Sequence, residues 1–250
     1  MTRKIQGFDV GGSSVKAGLV DVEGGKLIGE LISAPTPKPA TPQGVMEVIA
    51  ALSQRMPEAE QGVGIALPSV VQKGMVRTAA NIDHAWIGTD AAALALKVLG
   101  RPAEVLNDAD AAGVAEMRWG AGRSETGVVF MLTFGTGIGS ALFYDGKLVP
   151  NTELGHLEMR GMDAEKYSSA HVKTALNLDW PAWIERVNEY LARMHALFWP
   201  DLFILGGAVS ERFSDFAPLL RSQARIVPAH FAGQAGVIGA ALAAAEAPGR

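Results

Sequence analysis

The chain has 250 residues, no cysteine and a net charge of -4, from 22 Lys and Arg against 26 Asp and Glu. The missing thiols exclude a disulfide framework, a thiolate zinc site and a cysteine nucleophile. The acidic balance argues against non-specific nucleic-acid binding, which rests on phosphate neutralisation.

The length allows one large domain or two small ones. No apolar run approaches the ~18 residues of a membrane span. Met1-Thr2-Arg3-Lys4 leads straight into a strand, so a soluble cytoplasmic protein without a signal peptide is expected. The 29 glycines exceed the usual share, and they cluster.

Ile5 to Val10, Gly11-Gly12-Ser13-Ser14 and Val15 to Asp21 read as strand, tight turn and strand. Gly24-Gly25 mark a second turn, and Lys26 to Ser33 a third strand. Ala34 to Pro39 is expected to be a loop, because three prolines in five residues deny a ladder its donors. Thr41-Pro42 reads as N-cap and N1 proline of a helix to about Met56. Val63 to Leu67 is a short buried strand, and a helix covers about Thr89 to Leu99. Ala103 to Leu106 is predicted as a strand, although Ala and Glu are depleted in strands. A helix runs from Asp108 to about Trp119.

The second half repeats the opening. Thr133 to Asp145 can be laid over Asp9 to Asp21 at a constant offset of 124, aligning Gly11 with Gly135 and Ala17 with Ala141. An internal duplication explains this; two unrelated glycine hairpins are the other reading. Helical patterns follow at about Asp163 to Leu176 and Asp179 to Phe198. Leu202 to Leu205 is a buried strand ending in Gly206-Gly207. A helix from about Ser210, a short strand near Ile226-Val227 and an Ala-rich helix from Gly236 to Ala245 complete the pattern. Strands followed by helices in both halves predict two α/β lobes with a cleft between them.

A hairpin with glycines at its tip leaves backbone N–H groups uncovered and lets an anion approach. Asp9 sits just before the first turn, where its carboxylate suits a metal or a metal-bound water. Ser13, Ser14, Thr133 and Thr136 add hydroxyls, and Lys16 adds a positive charge. Asn107 and Asp108 fall at the C-terminal edge of a parallel strand, where ligands bind in open α/β sheets. Asp108 or Asp110 serves equally as a helix cap or first-turn acid. Pro150 to Glu158 packs an amide, two carboxylates and an imidazole into nine residues. No spacing there matches a standard metal site. Carbohydrate recognition needs such convergent groups; isolated surface acids are the other reading. Trp86 is expected in the core.

These segments together are similar to one family. Asp9-Val10-Gly11-Gly12-Ser13, Asn107-Asp108-Ala109-Asp110-Ala111-Ala112, Thr133-Phe134-Gly135-Thr136-Gly137-Ile138-Gly139, Glu153-Leu154-Gly155-His156 and Leu205-Gly206-Gly207 occur in this order. The set, from Gly7 to about Ala243, resembles the ROK sugar kinases of the actin-like ATPase superfamily, and within them the polyphosphate-using glucose kinases. The chain departs from the family in lacking its cysteine-rich zinc motif. It has Pro68-Ser69 where Pro-Gly is usual. Ala208 replaces a third glycine in the region where ATP-using relatives seat adenosine.

The resemblance implies a two-lobed actin-like (ribonuclease H-like) fold with a central cleft. One lobe would comprise residues 1–107 and 236–250, the other 108–235. It implies phosphoryl transfer from inorganic polyphosphate, with ATP as a second donor, to the 6-hydroxyl of glucose. Asp108 would be the general base. Asn81, Asn107, Asp108, Glu153, His156 and Glu165 would hold the sugar. Gly11, Gly12, Ser13, Lys16, Thr133, Gly135, Thr136, Gly137, Gly206 and Gly207 would line the phosphates, with Mg²⁺ near Asp9. A homodimer is implied; nucleic-acid and membrane partners are not. Three alternatives stay open: an ATP-dependent ROK kinase for another hexose, a ROK regulator, and an inactive sugar-binding protein. A regulator would need an N-terminal DNA-binding extension, for which a first strand at Ile5 leaves no room.

Overall fold

The computed structural model of the chain describes residues 3–57, 59 and 62–247. Met1, Thr2 and residues 248–250, assigned above to the first lobe, lie outside the described residues. The elements in chain order are β1 (Lys4–Val10), β2 (Ser14–Asp21), β3 (Lys26–Pro35), α1 (Pro42–Gln54), β4 (Val63–Leu67), β5 (Val71–Gln72), β6 (Met75–Val76), α2 (Ala91–Leu99), β7 (Ala103–Asn107) and α3 (Asp108–Trp119). They continue with β8 (Val128–Phe134), β9 (Ile138–Tyr144), β10 (Lys147–Val149), β11 (Glu158–Met159), β12 (Met162–Asp163), α4 (Ala164–Ser168), α5 (Ala170–Ala175), α6 (Trp180–Phe198), β13 (Leu202–Gly206), α7 (Phe213–Phe216), β14 (Arg225–Pro228) and α8 (Ala235–Glu246).

The chain forms two compact units: Met1–Trp119 with Gln234–Arg250, and Gly120–Gly233. Each holds a five-stranded sheet, ordered β3-β2-β1-β4-β7 in the first and β10-β9-β8-β13-β14 in the second. In each, a glycine-tipped antiparallel hairpin (β1–β2 or β8–β9) is extended by two parallel strands. The repeat seen in the residues is therefore a repeat of topology.

Strand periodicity decides what each face of the first sheet packs against. Val63, Ile65 and Leu67 join Phe8, Val45, Ile49 and Trp86 in one core. The alternate residue Ala66 packs with Ala111 and Ala240. On that second face a Cβ at Gly64 would overlap the carbonyl oxygen of Ala240, and one at Gly7 that of Val237. Helix α8 thus lies backbone-to-backbone on β1 and β4. Gly64→Ala is expected to destabilise the protein by about 1–3 kcal/mol, the usual range for overpacking. Chemical denaturation checks it, and an unchanged midpoint contradicts the packing.

The expected cap at Thr41 forms, and Asp90 and Asp179 cap two further helices. Thr41 Oγ1 accepts from Gly44 N–H at 3.3 Å and Asp90 Oδ1 from Ala93 N–H at 2.9 Å; Asp179 Oδ1 accepts from Ala182 N–H at 2.9 Å. In the second unit, α6 turns Trp183, Ile184, Val187, Tyr190, Leu191 and Met194 onto Phe130, Leu132, Phe134 and Phe203. That spacing is one face of a helix.

Four expectations are corrected. Strand β3 continues through Ala34 and Pro35, because it is an edge strand and Pro35 ends it. The helix predicted over Asp163 to Leu176 is two short helices, divided at Ser169, whose Oγ caps α5 by accepting from Val172 N–H. The segment from Ser210 is mostly 3₁₀ (Ala208–Arg212 and Ala217–Leu219) around a one-turn α7. There Ser210 Oγ bonds back to the Gly207 carbonyl at 2.8 Å, and Pro218 lacks the donor that α7 would need. The first lobe does not end at residue 107: α3 belongs to the first unit, where Gly239 of α8 lies against the Ala111 carbonyl without room for a Cβ.

Candidate functional site

The corner between β7 and α3 sets the first group of residues. Asn107, only 7% exposed, is the helix cap. Its Oδ1 accepts from Ala109 N–H at 2.8 Å and Asp110 N–H at 3.0 Å, and its Nδ2 donates to the Ser69 carbonyl at 3.2 Å. Neither Asp108 nor Asp110 is thus needed as the cap. Asp110 is buried inside the unit, whereas Asp108 remains partly accessible at the C-terminal end of a parallel strand, with Oδ1 2.8 Å from Ala109 N. Ser69 is also buried, and its Oγ has no hydrogen-bond partner among the described residues.

The β1–β2 turn exposes Gly12 and Ser13. It is tethered from below: Gly11 N–H donates to the Ser14 carbonyl, Thr36 N–H to the Ser13 carbonyl and Thr36 Oγ1 to the Gly11 carbonyl at 2.6 Å. Thr36 escapes sequence reading because it sits in a proline run whose loop character hides its hydroxyl. The Asn81 carbonyl lies 3.6 Å from the position a Cβ would take at Gly12, so Asn81 adjoins this turn. Asp9 pairs across the hairpin with Lys16. Burial raises its carboxyl above the usual range, and Lys16 pulls it partly back. Its carboxylate rests on the first turn of α8, where a Cβ at Gly236 would fall 2.8 Å from Asp9 Cγ.

The β8–β9 turn exposes Gly135 and Thr136, with Thr133 half-buried below them. Gly206 pairs in parallel with Thr133. Gly207, at φ 83, crosses so close to the Phe134 carbonyl that no Cβ fits. This puts the Gly206-Gly207 turn beside the hairpin base.

The segment after β10 is built on the same hairpin. Leu154 N–H donates to Ser140 Oγ at 3.0 Å, and Thr152 Oγ1 donates to the Ser140 carbonyl at 2.9 Å. A 3₁₀ turn, Leu154–His156, then aims Glu153 and His156 to the same side. Arg160 and Gly161, both at positive φ, close a two-residue turn between β11 and β12. The chain doubles back there, bringing Asp163 and Glu165 to His156. The imidazole nitrogens lie 3.7 Å from Glu153, 3.9 Å from Asp163 and 4.0 Å from Glu165. Burial raises the Glu153 carboxyl, His156 opposes that and Glu165 adds to it. Lys166 bonds Asp163 at 2.7 Å and holds that carboxyl low.

Donor atoms of His156, Asp163 and Glu165 come within 4.8 Å of one another. Sequence reading sought metal spacing only within Pro150 to Glu158, so this trio went unseen; the Arg160-Gly161 dipeptide was the available signal. Helix α6 anchors the whole segment. Tyr190 Oη donates to the Leu154 carbonyl at 3.3 Å and Trp183 Nε1 to the Ser168 carbonyl at 3.0 Å. Arg160 donates two bonds to Glu189, at 2.8 and 3.0 Å, while Tyr167 Oη donates a third to it at 3.1 Å. The first unit therefore holds Asp9, Gly11, Gly12, Ser13, Lys16, Asn81, Asn107 and Asp108. The second holds the remaining predicted residues.

Residues 5–172 match the ROK family, and the chain belongs to that family. Its sheets are those of the actin-like ATPase fold found in ROK sugar kinases. Among curated proteins it is 46% identical over 242 residues to the polyphosphate glucokinase of Mycobacterium tuberculosis (strain CDC 1551 / Oshkosh), covering 95% of this chain and 89% of that protein. Among solved structures it resembles the inorganic polyphosphate/ATP-glucomannokinase of Arthrobacter sp. strain KM. That match has 46% identity and a TM-score of 0.94, over 97% of this chain and 98% of the other. A ROK family glucokinase from Streptomyces griseus, in complex with glucose and AMPPNP, matches at 25% identity with a TM-score of 0.82, over 98% and 100%.

Proposed function

We propose that this chain transfers the terminal phosphoryl group of inorganic polyphosphate to the 6-hydroxyl of glucose. A bond forms between that oxygen and the terminal phosphorus; the bond to the penultimate phosphate breaks, leaving glucose 6-phosphate and a donor one unit shorter. The observation that carries the reading is the Asn107-Asp108 corner. Asn107 is consumed as the cap, and the adjacent Asp108 carboxylate stays accessible at a strand end. The Mycobacterium tuberculosis and Arthrobacter relatives, each 46% identical, are named polyphosphate glucokinase and inorganic polyphosphate/ATP-glucomannokinase.

In this reading Asp108 accepts the hydroxyl proton as general base. Asn81, Glu153, His156 and Glu165 hold sugar hydroxyls, and Asn107, through its cap, fixes where Asp108 stands. The β1–β2 and β8–β9 turns, with Lys16, Thr133, Gly206 and Gly207, take the donor phosphates through backbone N–H groups and hydroxyls. The enclosed carboxylate of Asp9 beside an exposed glycine turn is a hard oxygen donor and fits Mg²⁺. When bound, that ion supplies charge neutralisation on the donor oxygens.

ATP is a second donor in this reading, favoured by the name of the Arthrobacter relative, which also includes mannose as acceptor. The reading extends to a cytoplasmic homodimer. Among the described residues no helix is long and apolar enough to cross a membrane. A coupled assay with glucose and Mg²⁺, comparing polyphosphate with ATP, tests it. Glucose 6-phosphate is expected with polyphosphate; product with ATP alone replaces this reading by that of an ATP-dependent hexose kinase, and none with either donor rejects it.

A further inference from the structure

The tip of the β8–β9 hairpin already carries a negative group. Glu165 Oε2 accepts a hydrogen bond from Ile138 N–H at 3.3 Å. The carboxylate lies so close that a Cβ at Gly137 would overlap Oε2 and stand 3.2 Å from Cδ. The contact is held from both ends. His171 N–H, at the start of α5, donates to the Gly135 carbonyl at 3.0 Å, and Gly155 lies against the Ile138 carbonyl without room for a Cβ. The other oxygen of the same carboxylate, Oε1, is 4.0 Å from His156 Nδ1. One side chain therefore bonds the hairpin through one oxygen and lies 4.0 Å from His156 with the other.

We propose that Glu165 is a gate that couples the two substrates. Without sugar its carboxylate sits on the Ile138 N–H and repels an anion approaching the Gly135-Thr136-Gly137 tip. A sugar hydroxyl that donates to this carboxylate draws it toward His156, and the hairpin then becomes receptive to phosphate. The inference rests on the reading above, in which the hairpin takes phosphate and Glu165 takes sugar. It adds an order to them: the donor binds well only after the acceptor, so water has little chance to take the phosphoryl group. Because binding couplings are reciprocal, tripolyphosphate must tighten glucose by the same factor that glucose tightens tripolyphosphate.

Calorimetric titration of tripolyphosphate into the wild type and Glu165→Gln, each with and without saturating glucose, tests the proposal. The substitution keeps the shape of the side chain and an acceptor oxygen while removing the charge. The wild type is expected to bind tripolyphosphate about 5-fold or more tightly with glucose, at the low end of usual coupling. The variant is expected to bind without glucose about as tightly as the sugar-loaded wild type, and to gain nothing from glucose. Equal sugar-free affinities in the two proteins, or undiminished coupling in the variant, overturn the gate.

Glu165→Asp, which keeps the charge but pulls it back by one methylene, should fall between them. It carries the comparison if thermal melting shows the glutamine variant unfolded. A wild type that makes no glucose 6-phosphate refutes the proposed function, whereas the sugar-free comparison of the two proteins bears on the gate alone.

Discussion

Asp108→Asn is expected to lower turnover with glucose and polyphosphate by about 10²–10⁴-fold, the usual contribution of a general base. The glucose KM should change little, because the variant keeps a polar side chain of the same shape. The fold should survive. The cap of α3 is Asn107, which makes both cap bonds, while Asp108 adds a first-turn charge and an acceptor 2.8 Å from Ala109 N. Such a charge contributes about 0.3–1 kcal/mol through the helix dipole. Steady-state kinetics beside a thermal melt separate the two effects. Turnover close to the wild type would remove Asp108 from the chemistry, and a collapsed melt would make it a structural residue.

Asp9→Asn should split activity from stability in the opposite way. Turnover falls by about 10²–10³-fold, the scale of losing one electrostatic contact to developing charge. The melting temperature at neutral pH rises by a few degrees, about 2–4 °C per kcal/mol in a chain of this size. Burial raises the folded-state pKa of Asp9 above its unfolded value of 3.8, with Lys16 opposing. The folded state then holds the proton more tightly than the unfolded state. Stability from this group is present below the unfolded pKa and is lost as pH rises through the folded one. Asparagine carries no charge to desolvate, so the variant's advantage is widest at neutral pH and closes on acidification. Scanning calorimetry of both proteins, without added metal, at neutral and acidic pH measures it. A wild type that melts higher at neutral pH contradicts the sign.

The local signals that survived folding were those with a single physical cause. Thr41-Pro42 opens its helix as read, because the cap bond is local. The two glycine hairpins and the duplication were legible because clustered glycines punctuate the apolar strands on either side. What was hidden depended on partners distant in sequence. The cap bonds of Asn107 are local, but its amide nitrogen is taken up by the Ser69 carbonyl, 38 residues away. The joining of His156 with Asp163 and Glu165 depends on two residues at positive φ, Arg160 and Gly161, that leave no trace in hydrophobic periodicity. The bond from Ile138 to Glu165 could not be read at all, since nothing in either segment announces the other. Strand β3 ran on through Pro35 because an edge position suspends the usual penalty, and edge status belongs to the sheet.

Helix α8 has a consequence for how the protein is made. The chain leaves the first unit after Trp119 and returns only at Gln234, with the whole second unit in between. While a ribosome is still elongating, α3 reaches Ala66 through Ala111, but Gly7 and Gly64 on the same face of the opening sheet lack the helix that covers them. The second unit is contiguous in sequence. The nascent opening half must wait, exposed to chaperones and to neighbouring chains, until α8 arrives to seat its bare backbone on β1 and β4.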